Sequence, residues 1–105
     1  MEKLKTNIET KLDINQGVAL GMFEDLVIIY AGMPSRETFS FVAKNKRTSY
    51  SSDPSGYTQP YQLFFPATKG NISIHTQYST PCNPGSNHEI FVVCVNSEHI
   101  IIKSS

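Results

Sequence analysis

The sequence predicts an all-β fold, a single-domain antiparallel β-sandwich or small β-barrel of about seven to eight short strands. Three observations support this prediction. Segments in which apolar and polar residues alternate recur along the chain, and valine, isoleucine and phenylalanine dominate them. No long segment shows the periodicity of an amphipathic helix. The length of 105 residues suits one domain with its own hydrophobic core.

Alternation is clearest near the N-terminus, in Leu4–Ile14, where threonine, isoleucine and leucine at even positions alternate with charged or amide residues at odd positions. A period of two predicts a strand with one solvent-facing side. The apolar segments Val18–Phe23 and Leu26–Ala31 flank the acidic pair Glu24-Asp25 and predict a hairpin. One long strand with a bulge near Gly21 or the acidic pair is the alternative, since Glu-Asp lacks the usual chemistry of a two-residue turn.

The middle of the chain contains three further predicted strands. Glu37–Lys44 alternates, with phenylalanine and alanine on one side and serine, threonine and lysine on the other. Gln62–Ala67 is a short aromatic strand that Pro66 interrupts, and Asn71–Tyr78 alternates isoleucine with serine and histidine. The segment Thr68–Asn71 is predicted to turn between these last two strands.

Two irregular segments separate the predicted strands. Thr48–Tyr61 consists largely of serine, tyrosine, proline and glycine without a periodic apolar signal, and Ser79–Asn87 has a similar composition. Both segments are predicted loops. Long loops without their own secondary structure are uncommon in compact domains and are often functional, so Thr48–Tyr61 is a candidate binding segment.

The C-terminal segments Glu89–Val95 and His99–Lys103 are predicted to form a hairpin closed by Asn96-Ser97-Glu98. Both faces of the first segment are apolar, which predicts a central strand covered on both sides and places Cys94 in the core as a small hydrophobe. Lys103 is predicted to mark a sheet edge or a strand end, because lysine is typical of such positions.

Charge and composition limit the classes of partner. Nine basic and nine acidic residues balance, which argues against strong non-specific attraction to nucleic acid or to an anionic membrane. The N-terminus lacks the apolar core of a signal peptide, and the longest apolar run is far too short for a membrane-spanning helix. Cys82 and Cys94 make no disulfide framework. We therefore expect a soluble cytoplasmic protein with reduced thiols and no membrane partner.

Cys82 and the three histidines, His75, His88 and His99, are candidates for catalysis or metal binding. A thiol beside an imidazole can form a nucleophilic thiolate, so a small enzyme that uses Cys82 and His88 is one alternative function. The same residue types bind zinc, but their spacing lacks the paired short intervals of structural zinc sites. We expect no catalytic residue, no metal site and no cofactor, and we expect His75 to face solvent.

The favoured function is a binding or protein-interaction module that uses the Thr48–Tyr61 loop, because tyrosine, serine and glycine combine a large contact area with adaptable hydrogen bonding. The expected partner is a protein, a peptide or a small molecule. The predicted contact residues are Lys46, Arg47, Tyr50, Tyr57, Tyr61 and Tyr78. Binding of single-stranded nucleic acid through Lys44–Arg47 and the loop tyrosines is a less favoured alternative, given the zero net charge. Exposed sheet edges also allow a homodimer.

Overall fold

A computed structural model describes residues 4–5, 7–20, 26–45, 60–75 and 87–104. These residues form two four-stranded antiparallel sheets that pack against each other. The strands are β1 Thr10–Asp13, β2 Gly17–Leu20, β3 Leu26–Tyr30, β4 Thr38–Asn45, β5 Tyr61–Pro66, β6 Gly70–His75, β7 Asn87–Val95 and β8 His99–Ser104. The predicted all-β fold is confirmed, and of the two predicted architectures the structure agrees with the sandwich. The described residues include no helix with the length and hydropathy of a membrane span.

The first sheet has the strand order β1-β8-β7-β6 and the second has the order β2-β3-β4-β5. The second sheet follows the chain, and its β2–β3 pair, with Leu20 opposite Leu26, confirms the predicted hairpin over the single bulged strand. Residues 21–25, between those strands in the sequence, lie outside the described residues. The segment between β5 and β6 crosses from one sheet to the other, so the predicted turn there connects two layers rather than two paired strands.

The core lies between the sheets and contains an aromatic cluster from the second sheet. Phe39 and Phe41, which alternate with polar residues along β4, are fully buried, and their ring centroids lie 5.4 Å apart in an edge-to-face arrangement. The ring centroid of Phe65 on β5 lies 5.5 Å from that of Phe39. Such aromatic pairs contribute about 0.5–1.5 kcal/mol each beyond the burial of their area. The alternation in β4 therefore places one face in the core and leaves the other free for different chemistry.

Tyr30 connects the two layers at one end of the sandwich. Its ring is fully buried, and its hydroxyl donates a hydrogen bond to the backbone carbonyl of Asn96 in the β7–β8 turn. The Asn96 side-chain oxygen accepts hydrogen bonds from the N–H groups of Glu98 and His99, at 2.8 and 2.9 Å. Burial raises the pKa of the Tyr30 hydroxyl above its ordinary value. The predicted β7–β8 hairpin is thus confirmed and is fixed to β3.

The prediction that Cys94 belongs to the core is wrong. β7 contains a β-bulge, because Val92 pairs with Ile102 whereas Cys94 pairs with Ile101 on β8. The extra residue shifts the alternation by one, so Cys94 is exposed and Val95 packs against the core instead. A strict period of two cannot reveal a bulge in a strand whose residues are all apolar.

The other face of β7 is only partly covered. β7 is an interior strand of its sheet, as predicted, but Phe91 and Val93 remain half-buried on the side away from the core. The ammonium group of Lys103 lies 5.3 Å from the centroid of the Phe91 ring. Lys103 stands one residue before the end of β8, and β8 lies between β1 and β7. Lys103 therefore marks a strand end and not a sheet edge.

The first strand is shorter than the predicted Leu4–Ile14. Asn7 and Asn15 have positive φ angles of 61° and 71°, a conformation that asparagine adopts more readily than most residues. These two positions bend the chain on either side of β1. Ile8 is therefore 53% exposed, despite its even position in the alternating pattern. Leu4 enters the core separately, and its N–H donates to the carbonyl of Ala19 at 2.9 Å.

Candidate functional site

Most of the predicted contact residues lie outside the described part of the chain. Lys46, Arg47, Tyr50, Tyr57 and Tyr78 fall in segments 46–59 and 76–86, so their roles stay predictions. Tyr61 is the first residue of β5, half-buried, with its side chain packed against the core. Lys44, from the alternative nucleic-acid site, is half-buried on β4 opposite Val27 of β3. The structure therefore does not test whether these residues form one surface.

The described histidines do not come together. His75 is exposed at the end of β6, as predicted. His88 is half-buried on the opposite face of the same sheet, paired with Ile74, whereas His99 begins β8 beside Asn96. No group of three or more potential metal ligands occurs among the described residues. Cys82 lies outside them, so the proposed thiol–imidazole pair with His88 is not tested.

The structure contains a different candidate site, a groove on the outer face of the second sheet. We call it the β4–β5 groove. It has a volume of about 330 Å³ and is open to solvent. Its walls come from the β3–β4 connection and from β5, and its base comes from β4. The residues that line it are Ala31, Met33, Pro34, Ser40, Gln62 and Phe64, none of which carries a charge.

The alternation of β4 and β5 builds the base and one wall of this groove. Because Phe39 and Phe41 point into the core, Ser40 between them points to the outer face. Ser40 stands directly opposite Phe64 in the β4–β5 register. Phe64 in turn lies between two core-packed neighbours, Leu63 and Phe65, and is 57% exposed. The base and the aromatic wall are therefore fixed by one cross-strand pair.

The opposite wall depends on the backbone at Gly32. This residue has a φ of +87°, a left-handed conformation that favours glycine. It turns the chain so that Met33 and Pro34 line the groove. The N–H of Ser40 donates to the carbonyl of Gly32 and the N–H of Ala31 donates to the carbonyl of Ser40, both at 2.9 Å. The wall is thus held to the base by backbone hydrogen bonds.

Ser40 is the unusual group in this groove. It is only 4% exposed, and its Oγ has no hydrogen-bond partner among the described residues. A buried hydroxyl without a partner costs about 1–3 kcal/mol in proteins. Most buried polar side-chain atoms are satisfied, so a hydroxyl that lines an open groove and has no partner among the described residues is a candidate contact for a ligand.

Sequence reasoning placed Ser40 and Phe64 on strands but did not identify them as site residues. Two signals were present: a serine between two core phenylalanines, and an aromatic residue at a position whose parity faces away from the core. Neither signal shows that the two residues are neighbours, which depends on the register. Chemically, the groove can hold an apolar group against Met33 and Phe64, and Ser40 can exchange a hydrogen bond with a polar atom attached to that group. Comparisons of this chain with protein-family models, with curated proteins and with solved structures found no match.

Proposed function

We propose that this protein is a cytoplasmic, cofactor-free binding module whose recognition site includes the β4–β5 groove. The observation that carries this proposal is the buried hydroxyl of Ser40, which has no hydrogen-bond partner among the described residues and lies at the base of an open groove. Such a hydroxyl at the base of an open groove can exchange a hydrogen bond with a ligand that enters the groove. A binding role accounts for both the position and the cost of this group.

The lining residues indicate the chemical class of the ligand. Met33, Pro34 and Phe64 supply apolar and aromatic surface, and the side chains of Ser40 and Gln62 supply hydrogen-bonding groups. Among the described residues, those that line the groove include no ionisable side chain, so burial of a charged ligand against them would be unfavourable. A volume of about 330 Å³ is near the lower limit of typical ligand pockets, about 300–1,000 Å³. The groove suits a small uncharged ligand, or one side chain of a peptide, that combines a ring with a hydrogen-bonding group.

The predicted binding loop fits this proposal, because it joins the two strands that form the groove. β4 ends at Asn45, five residues beyond Ser40, and β5 begins at Tyr61, three residues before Phe64, so the strand ends lie roughly 10–17 Å along the strands from the Ser40–Phe64 pair. We propose that Tyr50 and Tyr57 extend the recognition surface beyond the groove.

Benzamide is a suitable probe, since it carries an aromatic ring and an uncharged amide. In an NMR titration of ¹⁵N-labelled protein, we expect benzamide to shift the amide signals of Met33, Ser40 and Phe64 in a saturable way. Benzoate, which has the same ring with a charge, should bind more weakly. Shifts that map to another part of the sandwich, or equal binding of benzoate, would contradict the proposal.

Two variants identify the contribution of the hydroxyl. Ser40→Ala should weaken benzamide binding about five- to ten-fold, because one hydrogen bond contributes about 1 kcal/mol. Ser73→Ala is the matched control, since Ser73 lies on β6 of the other sheet and donates to Glu89 at 2.6 Å. We expect this control to bind benzamide as the unmodified protein does. Equal binding by both variants would remove Ser40 from the site.

A further inference from the structure

β5 is an edge strand whose outer side has no strand partner among the described residues. In the second sheet it pairs with β4 on one side and ends the order β2-β3-β4-β5. Edge strands present unpaired N–H and C=O groups that can template pairing with another strand. Which groups β5 presents follows from its hydrogen bonds to β4.

The backbone hydrogen bonds next to β5 show which of its residues bond β4 and which do not. The N–H of Ala67, just after the strand, donates to the carbonyl of Glu37 at 2.9 Å. Ser40 uses its own N–H and C=O on the β3 side, so it does not bond β5. Along a strand of an antiparallel pair, the backbone N–H and C=O groups of successive residues point alternately towards the partner strand and away from it. The backbone groups of the odd-numbered residues of β5 therefore point towards β4. The backbone groups of Gln62 and Phe64 point away from the sheet.

Prolines restrict this free edge to a short segment. Pro60 and Pro66 share the even parity of Gln62 and Phe64, and neither proline has an N–H group. The edge therefore offers N–H donors at Gln62 and Phe64 alone. These donors, and the prolines outside them, are placed symmetrically on either side of Leu63. A symmetric donor set matches an identical strand that runs in the opposite direction.

We propose that a second copy of this chain pairs with β5 through a two-fold axis at Leu63. Gln62 of each copy then stands opposite Phe64 of the other, and the two pairs exchange four backbone hydrogen bonds. Each Pro60 lies opposite Pro66 of the other copy, where no donor is left unpaired. The two second sheets join into one continuous sheet of eight strands.

The exposed Phe64 side chain supports this arrangement. In the proposed register the two Phe64 residues are diagonal neighbours on the same face, with side chains about 7–8 Å apart, which is within reach of aromatic rings. Pairing would cover the outer side of a ring that is 57% exposed in the single chain. The inner side of the same ring continues to line the β4–β5 groove.

The other edges are less suited to self-pairing. The outer face of β6 presents Asn71, Ser73 and His75, which are polar and exposed. β1 carries Lys11 and Asp13, a charged pair on its outer face, with Nζ and Oδ1 3.8 Å apart. The β2 edge already accepts the N–H of Leu4 through Ala19. Within the described part of the chain, β5 is therefore the edge that combines outward-pointing N–H donors without a partner there with an exposed apolar side chain.

Sedimentation equilibrium combined with residue-resolved hydrogen exchange tests the proposal on the unmodified protein. We expect a mass that rises with concentration from 11.7 kDa to twice that value. The amides of Gln62 and Phe64 should become protected from exchange over the same concentration range, while exposed amides of β6 should not change. A mass of one chain at every concentration, or association without protection of these two amides, would overturn the proposal.

A pair of lysine variants provides the matched comparison. Phe64→Lys places a charge beside its own copy at the axis and should abolish the dimer, whereas Asn71→Lys on β6 should leave it intact. Circular dichroism checks that both variants fold. Ser40→Ala, which disrupts the groove, should also dimerise normally, so loss of ligand binding and loss of the dimer can be observed separately. A Phe64→Lys variant that is folded and still dimeric would show that β5 is not the interface.

Discussion

Replacing Ser40 with alanine should make the free protein more stable, although serine-to-alanine changes in a strand ordinarily bring no gain. The buried Oγ has no hydrogen-bond partner among the described residues, and removal of such a group recovers about 1–3 kcal/mol of desolvation cost. Alanine is a poorer strand residue, on a propensity scale that spans about 1 kcal/mol. The expected net gain in the free energy of unfolding is about 1–2 kcal/mol.

Thermal unfolding followed by circular dichroism measures this gain. An unfolding entropy of roughly 2.1 cal/mol/K per residue over 105 residues is about 0.22 kcal/mol/K, so the gain raises Tm by about 5–9 °C. The control is Ser73→Ala, in which an exposed serine on β6 loses its hydrogen bond to Glu89. The stability of that variant should be unchanged or lower by up to about 1 kcal/mol, because it loses one exposed hydrogen bond and removes no buried hydroxyl.

The result that would refute this reasoning is a Ser40→Ala variant no more stable than Ser73→Ala. In that case the Ser40 hydroxyl already has a partner in solution, and the argument that a ligand supplies one loses its basis. If Ser40→Ala is more stable and also binds benzamide less well, stability and binding change in opposite directions. A purely structural serine would not behave in this way.

Two further predictions concern Tyr30 and Cys94. Because burial raises the pKa of Tyr30 above 10.0, the contribution of the neutral hydroxyl to stability is complete below pH 10 and is lost as the pH rises through the folded-state pKa. Urea unfolding between pH 9 and about 12 should show this loss. Tyr30→Phe should reduce the dependence of the free energy of unfolding on pH over this range. In a Cys82→Ser variant, the exposed Cys94 should react with Ellman's reagent without denaturant. Labelling of Cys94 only after unfolding would restore the core prediction, and an unchanged pH dependence in Tyr30→Phe would remove Tyr30 as the cause.

The sequence predicted the fold well where alternation and burial coincide. Along β4, Phe39, Phe41 and Ala43 occupy every second position and are fully buried, and two of the residues between and beside them, Ser40 and Lys44, are polar. The prediction failed where the backbone departs from a regular strand. A positive φ at Asn7 ends the N-terminal pattern, and the bulge at Val92–Cys94 reverses the faces of β7. In each case a single residue changes the direction of the backbone or the face to which the following side chains point. Hydrophobic periodicity is read over several residues and does not detect such a change.

The candidate groove could not be predicted because it depends on contacts between distant segments. Ser40 lies at the base of the groove because Phe64 stands opposite it in the β4–β5 register and Met33 lines the groove from the β3–β4 connection. The register that aligns Ser40 with Phe64 joins strands on either side of the predicted Thr48–Tyr61 loop, and the length of that loop carries no information about which residues pair. Sequence reasoning instead favoured that loop, whose composition is visible without any knowledge of pairing.

β5 would serve three purposes at once, which limits how it can change. Leu63 and Phe65 pack against the core, the side chains of Gln62 and Phe64 line the groove, and the outward backbone groups of the same two residues form the proposed interface. A substitution at Phe64 therefore affects both proposed functions, whereas Ser40 belongs to the groove alone. Because Ser40 uses its backbone groups on the β3 side, its replacement leaves the β5 edge unchanged. Comparison of variants at these two positions separates ligand binding from self-association.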